Sequence, residues 1–401
     1  MTRLLSIIRI MNKSRSPLFS FYFSLLSGVI LFILTVTACA APSASPTPDM
    51  SVALTQALET ALAGLQPTAT PVPSETSVPS ATAVRTPPAL PGIFVAGQLN
   101  PLDTPHTYIE DTCQYLHDKW NSTNAAPGTV VMVIMFHGIT QEKATRVHDI
   151  SKQDFKQMMD DLKEQGFEAI NATQLADFLD HNAKIPHRSV VLIVDDRHQA
   201  ESFNEHFRPY YEKWGWQVVN GWISAFGGED AFLQENVALS NEGWVDYQAH
   251  GFIHNENMTD SSTDEFIRQE LQGSITNLQT HFNKTPIAII WPGGNFGIRP
   301  VQFARQFGYR IGFTINPRGP VMYNWVPLAD QKDSARPIYL EEGHIDDPRM
   351  VLPRYWPYQV QANLDLVRNI GKDAAAYAEQ NKAVELEYYD IMCAPTLGPI
   401  P

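Results

Sequence analysis

The sequence predicts an α/β fold in which helices cover a parallel sheet, built as a barrel or as a doubly wound sheet. Three observations predict it. From Val130 onward apolar strands alternate with helical segments, the strands are almost continuously apolar, and polar residues of catalytic type stand where strands end. VVMVIMFH ends on His137, VVLIVDD on Asp195 and Asp196, WVDYQAH on His250 and IAIIWP beside Trp291. Sites in parallel α/β folds assemble at the carboxyl ends of strands, so one cavity is expected to receive these residues.

The elements justify themselves in order. Residues 1–39 carry Arg3, Arg9, Lys13 and Arg15 without an acid, then an apolar run that ends in VTAC. This is the pattern of a secretory signal, and VTAC resembles a bacterial lipobox. Cys39 is then the lipidated first residue of an extracytoplasmic protein anchored to the cell membrane as a lipoprotein; an uncleaved membrane anchor is the alternative. Residues 40–92 are rich in Pro, Ser, Thr and Ala and bury too little apolar surface to offset ordering entropy, so a disordered tether is expected.

Residues 93–129 form an N-terminal extension and 130–360 the main domain, followed by a C-terminal helix and tail over 361–401. In SKQDFKQMMDDLKEQGF, Phe155, Met158, Met159 and Leu162 recur at helical spacing. AESFNEHFRPYYEKWG and STDEFIRQELQGSITNLQTHF read as further helices. Cys113 and Cys393 stand near the two ends of the folded part, where they either pair or remain buried thiols. The net charge of -14 argues against a nucleic-acid partner. No GxGxxG or phosphate loop follows a strand, which removes support for nucleotide binding.

The chemistry concentrates in two short stretches. HGFIH places His250 and His254 four apart, where both imidazoles can face one ion from one side of a helical turn. With Asp196 they make a three-ligand set that leaves positions open for water and substrate. Asp195 would then stand beside the ion as a base, and the repulsion between adjacent carboxylates is relieved when one of them holds a cation.

The order MFHGI, DFKQMMDDLKEQGFEAI, VVLIVDD, HGFIH, WPGGNFG, GFTINPRG and LPRYW resembles polysaccharide deacetylases with a NodB homology domain, closest to those acting on poly-N-acetylglucosamine. The resemblance implies a distorted (β/α) barrel and a metal-dependent hydrolase that removes N-acetyl groups from an extracellular polysaccharide or cell-wall glycan. It implies Asp195 as the catalytic base and Asp196, His250 and His254 as ligands of a divalent ion, zinc before cobalt or nickel. His137 and His344 are the candidates for the catalytic acid. Trp291, Pro292, Gly293 and Gly294 would form a substrate-binding groove wall, to which Arg354 of LPRYW is added, either against sugar or paired with a buried acid. Trp214, Trp216, Trp222, Trp244, Trp325 and Trp356 read mostly as core.

The chain departs from the family pattern at Arg197, where Gly is usual, at Gly251, where Ser or Thr is usual, and at Trp291, which stands where many members carry a base-orienting Arg. These departures support a rival reading, a carbohydrate-binding or cell-wall scaffold protein that keeps the barrel and has lost turnover.

Overall fold

The computed structural model describes residues 85–225, 230–334 and 336–401, all within the compact unit Ala83–Pro401. Cys39, the expected signal segment and the expected tether as far as residue 84 lie outside the described residues. Residues 85–92, also expected in the tether, have no regular secondary structure but run against the last helix, where Arg85 pairs with Glu387 and Tyr377 donates to the Gly92 carbonyl. Among the described residues no helix is long and apolar enough to cross a membrane.

In chain order the fold comprises β1 (Asp103–His106), α1 (Thr112–Trp120), β2 (Val130–Phe136), β3 (Gly138–Thr140), β4 (Asp149–Ser151), α2 (Lys152–Glu164), β5 (Glu168–Ala169), α3 (Ala172–His181) and β6 (Arg188–Val194). Then come α4 (Ala200–His206), α5 (Arg208–Trp214), β7 (Val218–Trp222), α6 (Asp230–Asn241), β8 (Val245–Ala249) and α7 (Asp264–Phe282). The chain continues through β9 (Ala288–Ile290), α8 (Ile298–Gln306), β10 (Ile311–Phe313), β11 (Val326–Ala329) and α9 (Pro357–Met392).

The main sheet runs β10-β9-β8-β7-β6-β2, with β5 beside the start of β6, and its pairs are parallel. The segment after β11 closes it. Leu352 bridges to Phe313 of β10 and Tyr355 bridges to Ile134 of β2, both in parallel register. The result is a distorted (β/α) barrel whose seam is the LPRYW stretch. All of β2, and β6 from Ser189 onward, are buried, which is why these strands read as continuous apolar runs rather than alternating ones.

Helix α2 buries Phe155, Met158, Met159 and Leu162, the face its spacing predicts, and starts at the Ser151 hydroxyl, which accepts from Asp154 N. The helix expected over AESFNEHFRPYYEKWG is instead two, α4 and α5. Pro209 in the first turn of α5 has no N–H to donate to the preceding turn and its ring crowds the carbonyl there. Helix α9 crosses the start of β2 at close range: a β-carbon on Gly371 would lie 2.8 Å from the Gly128 carbonyl oxygen.

Cys113 in α1 and Cys393 just past α9 form a disulfide across 280 residues. In the chain-entropy account a loop of this length constrains the unfolded state by on the order of 5 kcal/mol. Reduction is therefore expected to lower the thermal midpoint by about 10 °C, read by circular dichroism with and without dithiothreitol. An unchanged midpoint would show that α1 and α9 hold together without the bond.

Candidate metal centre

The site is assembled from the strand ends of β2, β6 and β8 and from the seam. Asp195 leaves β6 with its N–H donating to the Phe136 carbonyl at 2.8 Å, which holds the two strand ends side by side. Asp196 adopts a left-handed backbone, φ 71°, a conformation that a short polar side chain tolerates. Arg197, where the family pattern has Gly, does not need a left-handed backbone, because the positive φ of this turn belongs to Asp196.

His250 and His254 do not sit on a helical turn. They belong to a loop with φ 80° at Gly251 and 60° at His254, and their rings approach to 4.4 Å between centroids. Gly251 is required twice over: its φ is positive, and a β-carbon there would come within 2.5 Å of Glu270 Oε2. That carboxylate is what shapes the loop. Glu270 is buried in α7 and accepts the backbone N–H groups of Phe252 (2.9 Å), Ile253 (2.9 Å) and His254 (3.2 Å). Sequence reasoning missed Glu270. The available signal was its place among Ile267, Leu271, Ser274 and Ile275 on the buried face of α7, where an acid needs a specific partner.

His250 Nδ1 donates to the Ile290 carbonyl at 2.8 Å, which leaves Nε2 pointing to Asp196 Oδ1 at 3.6 Å. His254 Nε2 is buried without a hydrogen-bond partner. The ligand atoms of Asp196, His250 and His254 all lie within 4.8 Å of one another. Around a tetrahedral ion with bonds of about 2.0–2.1 Å they would stand about 3.3 Å apart, so binding needs only modest side-chain rotation. One carboxylate and two imidazoles, one of them an orphaned buried nitrogen, fit a divalent ion of the zinc, cobalt or nickel kind.

Asp195 has a different partner. Its Oδ1 accepts from Arg354 at 2.6 Å, while Arg354 Nε donates to the Thr314 carbonyl at 2.5 Å, and both side chains are buried. Burial alone would raise the Asp195 pKa, but Arg354 and the imidazoles of His250 and His137 outweigh it and hold the carboxyl below its usual range. Asp196 is also held well below that range, chiefly by the facing His250 imidazole. His254 is pushed down to about 4 by burial and by His250. His250 moves up, because the two carboxylates outweigh its own burial.

These groups line an open cleft of about 500 Å³. His137 lines it with Nε2 at 3.8 Å from Asp195 Oδ2, and burial holds its pKa below the ordinary value despite that carboxylate. Gly293 and Gly294 also line it, with Ile315, Arg336, Tyr339, Tyr358 and Trp356. The Trp356 ring stacks on His137 at 5.5 Å and 18°, so it is cleft wall rather than core, and His148 packs on its edge.

Three expected site residues lie elsewhere and one has another role. Trp291 is fully buried with its indole N–H donating to the Met350 carbonyl, so it offers no face to a sugar, and Pro292 is buried beside it. His344, a candidate for the acid, is 54% exposed, faces Glu341 at 3.4 Å and is outside the cleft lining. Arg354 cannot reach substrate from its buried position. It is instead the arginine paired with buried Asp195, delivered from the seam and not from the Trp291 position.

No protein-family model matches the chain, and no curated protein matches it. Solved structures do. The deacetylase PplD of Streptococcus pyogenes in complex with acetate is 18% identical, over 60% of this chain and 98% of that one, with a TM-score of 0.47. IcaB from Ammonifex degensii is 15% identical, over 60% and 97%, at 0.44. A polysaccharide deacetylase from Bacillus cereus is 17% identical, over 59% and 69%, at 0.43.

The loop geometry gives a direct test. In Glu270→Gln the side chain keeps its shape but must turn an amide N–H against one of three backbone donors, which loosens the histidine loop. Zinc affinity measured by competition with a chelator is expected to fall about 10-fold or more, with the circular dichroism spectrum unchanged. Parent-like affinity would show that the loop holds its shape without the carboxylate.

Proposed function

We propose that the chain is a metal-dependent carbohydrate N-deacetylase, a hydrolase acting on carbon–nitrogen bonds other than peptide bonds, working on an N-acetylated extracellular polysaccharide or cell-wall glycan. The observation that carries this reading is the division of labour between two adjacent carboxylates. Asp196 converges with His250 and His254, while Asp195 is turned away to Arg354 yet faces the same cleft. The motif resemblance supplies the reaction class.

A divalent ion, when bound, supplies a Lewis acid for the amide carbonyl and acidifies water. Asp195, kept ionised by Arg354, takes the proton from the attacking water. His137, its Nε2 3.8 Å from Asp195 Oδ2, would receive that proton from Asp195 and deliver it to the departing amine. Trp356 stacked against His137 fixes the plane of that imidazole. The products are acetate and a free amino sugar.

Asp195→Asn is expected to lower acetate release from N-acetylglucosamine oligomers by about 10² or more with zinc still bound, the usual scale for loss of a general base. Asp196→Asn should lose zinc first. If the parent binds the oligomers but releases no acetate with zinc, cobalt or nickel, the scaffold reading takes its place.

We further propose that the domain works outside the cytoplasm on a lipid anchor at Cys39. The signal-like N-terminus and the Cys113–Cys393 disulfide support this, since structural disulfides belong to oxidising compartments. Cys39→Ser is expected to abolish lipid labelling and move the protein from the membrane to the soluble fraction; unchanged partition would contradict the anchor.

A further inference from the structure

The deacetylase reading leaves one charged group of the cleft unused. Ten of the fourteen described arginines have a carboxylate partner. Of the other four, Arg188 donates to the Gln165 carbonyl, Arg268 lies over the Phe303 ring, and Arg197 is outside the cleft lining. The fourth, Arg336, lines the cleft.

Arg336 is half-buried and its guanidinium sits over the Tyr339 ring at 5.7 Å. A cation–π contact orients the planar group without using its N–H donors. Tyr339 is itself fixed, its hydroxyl donating to the Gly293 carbonyl at 2.8 Å, so the arginine rests on a platform tied to the glycine wall.

The acid balance of the cleft points the same way. The chain has 43 Asp and Glu against 29 Lys and Arg, yet the acids lining the cleft are Asp195 and Asp196. Asp195 is answered by Arg354 and Asp196 belongs to the proposed metal set. Arg336 therefore stands as a preoriented cation without an anion among the described residues, in a groove that a glycan would occupy. Chain charges beyond about 10 Å are screened at moderate ionic strength, so the overall negative charge does not decide what enters.

We propose that Arg336 is a specificity determinant that binds a single oxyanion on the glycan, making the substrate an acidic N-acetylated polysaccharide rather than a neutral one. The oxyanion is a sugar carboxylate or a backbone phosphodiester. Either accepts two parallel N–H bonds from the guanidinium fork. This assignment rests on the deacetylase reading for the reaction but not for the recognition.

The test compares three substrates with zinc-loaded protein: neutral N-acetylglucosamine oligomers, oligomers alternating N-acetylglucosamine with glucuronate, and phosphodiester-bridged N-acetylglucosamine. One acidic substrate is expected to show a KM about 10-fold or more below the neutral one, with kcat little changed, and the two acidic arms identify the oxyanion. Arg336→Gln should erase that preference, bringing KM for the acidic substrate to that of the neutral one. Equal KM values for all three in the parent, or equal losses on all three in the variant, would overturn the assignment. If no substrate releases acetate, the deacetylase reading fails separately, and calorimetric binding of the same oligomers decides the recognition. A preference for an acidic oligomer that is absent in Arg336→Gln upholds it, and equal binding ends it.

Discussion

The buried pairing of Arg354 with Asp195 is the contact on which the arrangement of this molecule turns. A carboxylate taken out of water is costly unless a cation meets it with good geometry. Here the cation comes from the segment that closes the barrel, bridging β10 on one side and β2 on the other. Sheet closure and the ionisation of Asp195 are thus one event. The seam cannot open without stranding a charge, and the charge cannot persist without the seam. The same strand ends carry His137 and Asp196, so the chemistry of the cleft inherits its geometry from the closure of the sheet.

Second to this is the support beneath the histidines. Glu270 plays toward the loop the part that a helix N-terminus plays toward an anion, reversed: a fixed negative group collects three donors that would otherwise be buried and unpaired. With those donors satisfied the loop can hold left-handed residues at Gly251 and His254. Both imidazoles then face one point without a helix to align them.

Much of this was legible in the sequence where the information is local. Apolar runs gave the strands, helical spacing gave α2, and acids or imidazoles at strand ends gave the cleft. What was not legible depends on contacts between distant residues or on backbone sign. Arg354 lies 159 positions from Asp195, and nothing in LPRYW announces which acid it meets. Trp291 beside glycines looked like a sugar platform, but its indole N–H serves a main-chain carbonyl in the core. The spacing of HGFIH suggested a helical turn, because four-residue spacing is all that a sequence shows, while the positive φ values that bring the rings together are invisible there. Arg197 stands where the family usually has Gly, yet the positive φ of this turn belongs to Asp196, which no sequence pattern reveals.

Helix α9 has 36 residues and so spans about 54 Å at 1.5 Å per residue. Its first turn follows Trp356 on the cleft wall and its last precedes the cysteine bonded to α1. A rod pinned at its far end acts as a lever with little play: the wall against His137 cannot swing outward unless the whole helix tilts or its first turns unwind. Opening of the cleft on this side is thereby tied to the whole length of α9 and to the disulfide at its end. Whatever enters the cleft would thus meet, at Trp356, a wall whose position is set at the far end of a 36-residue helix.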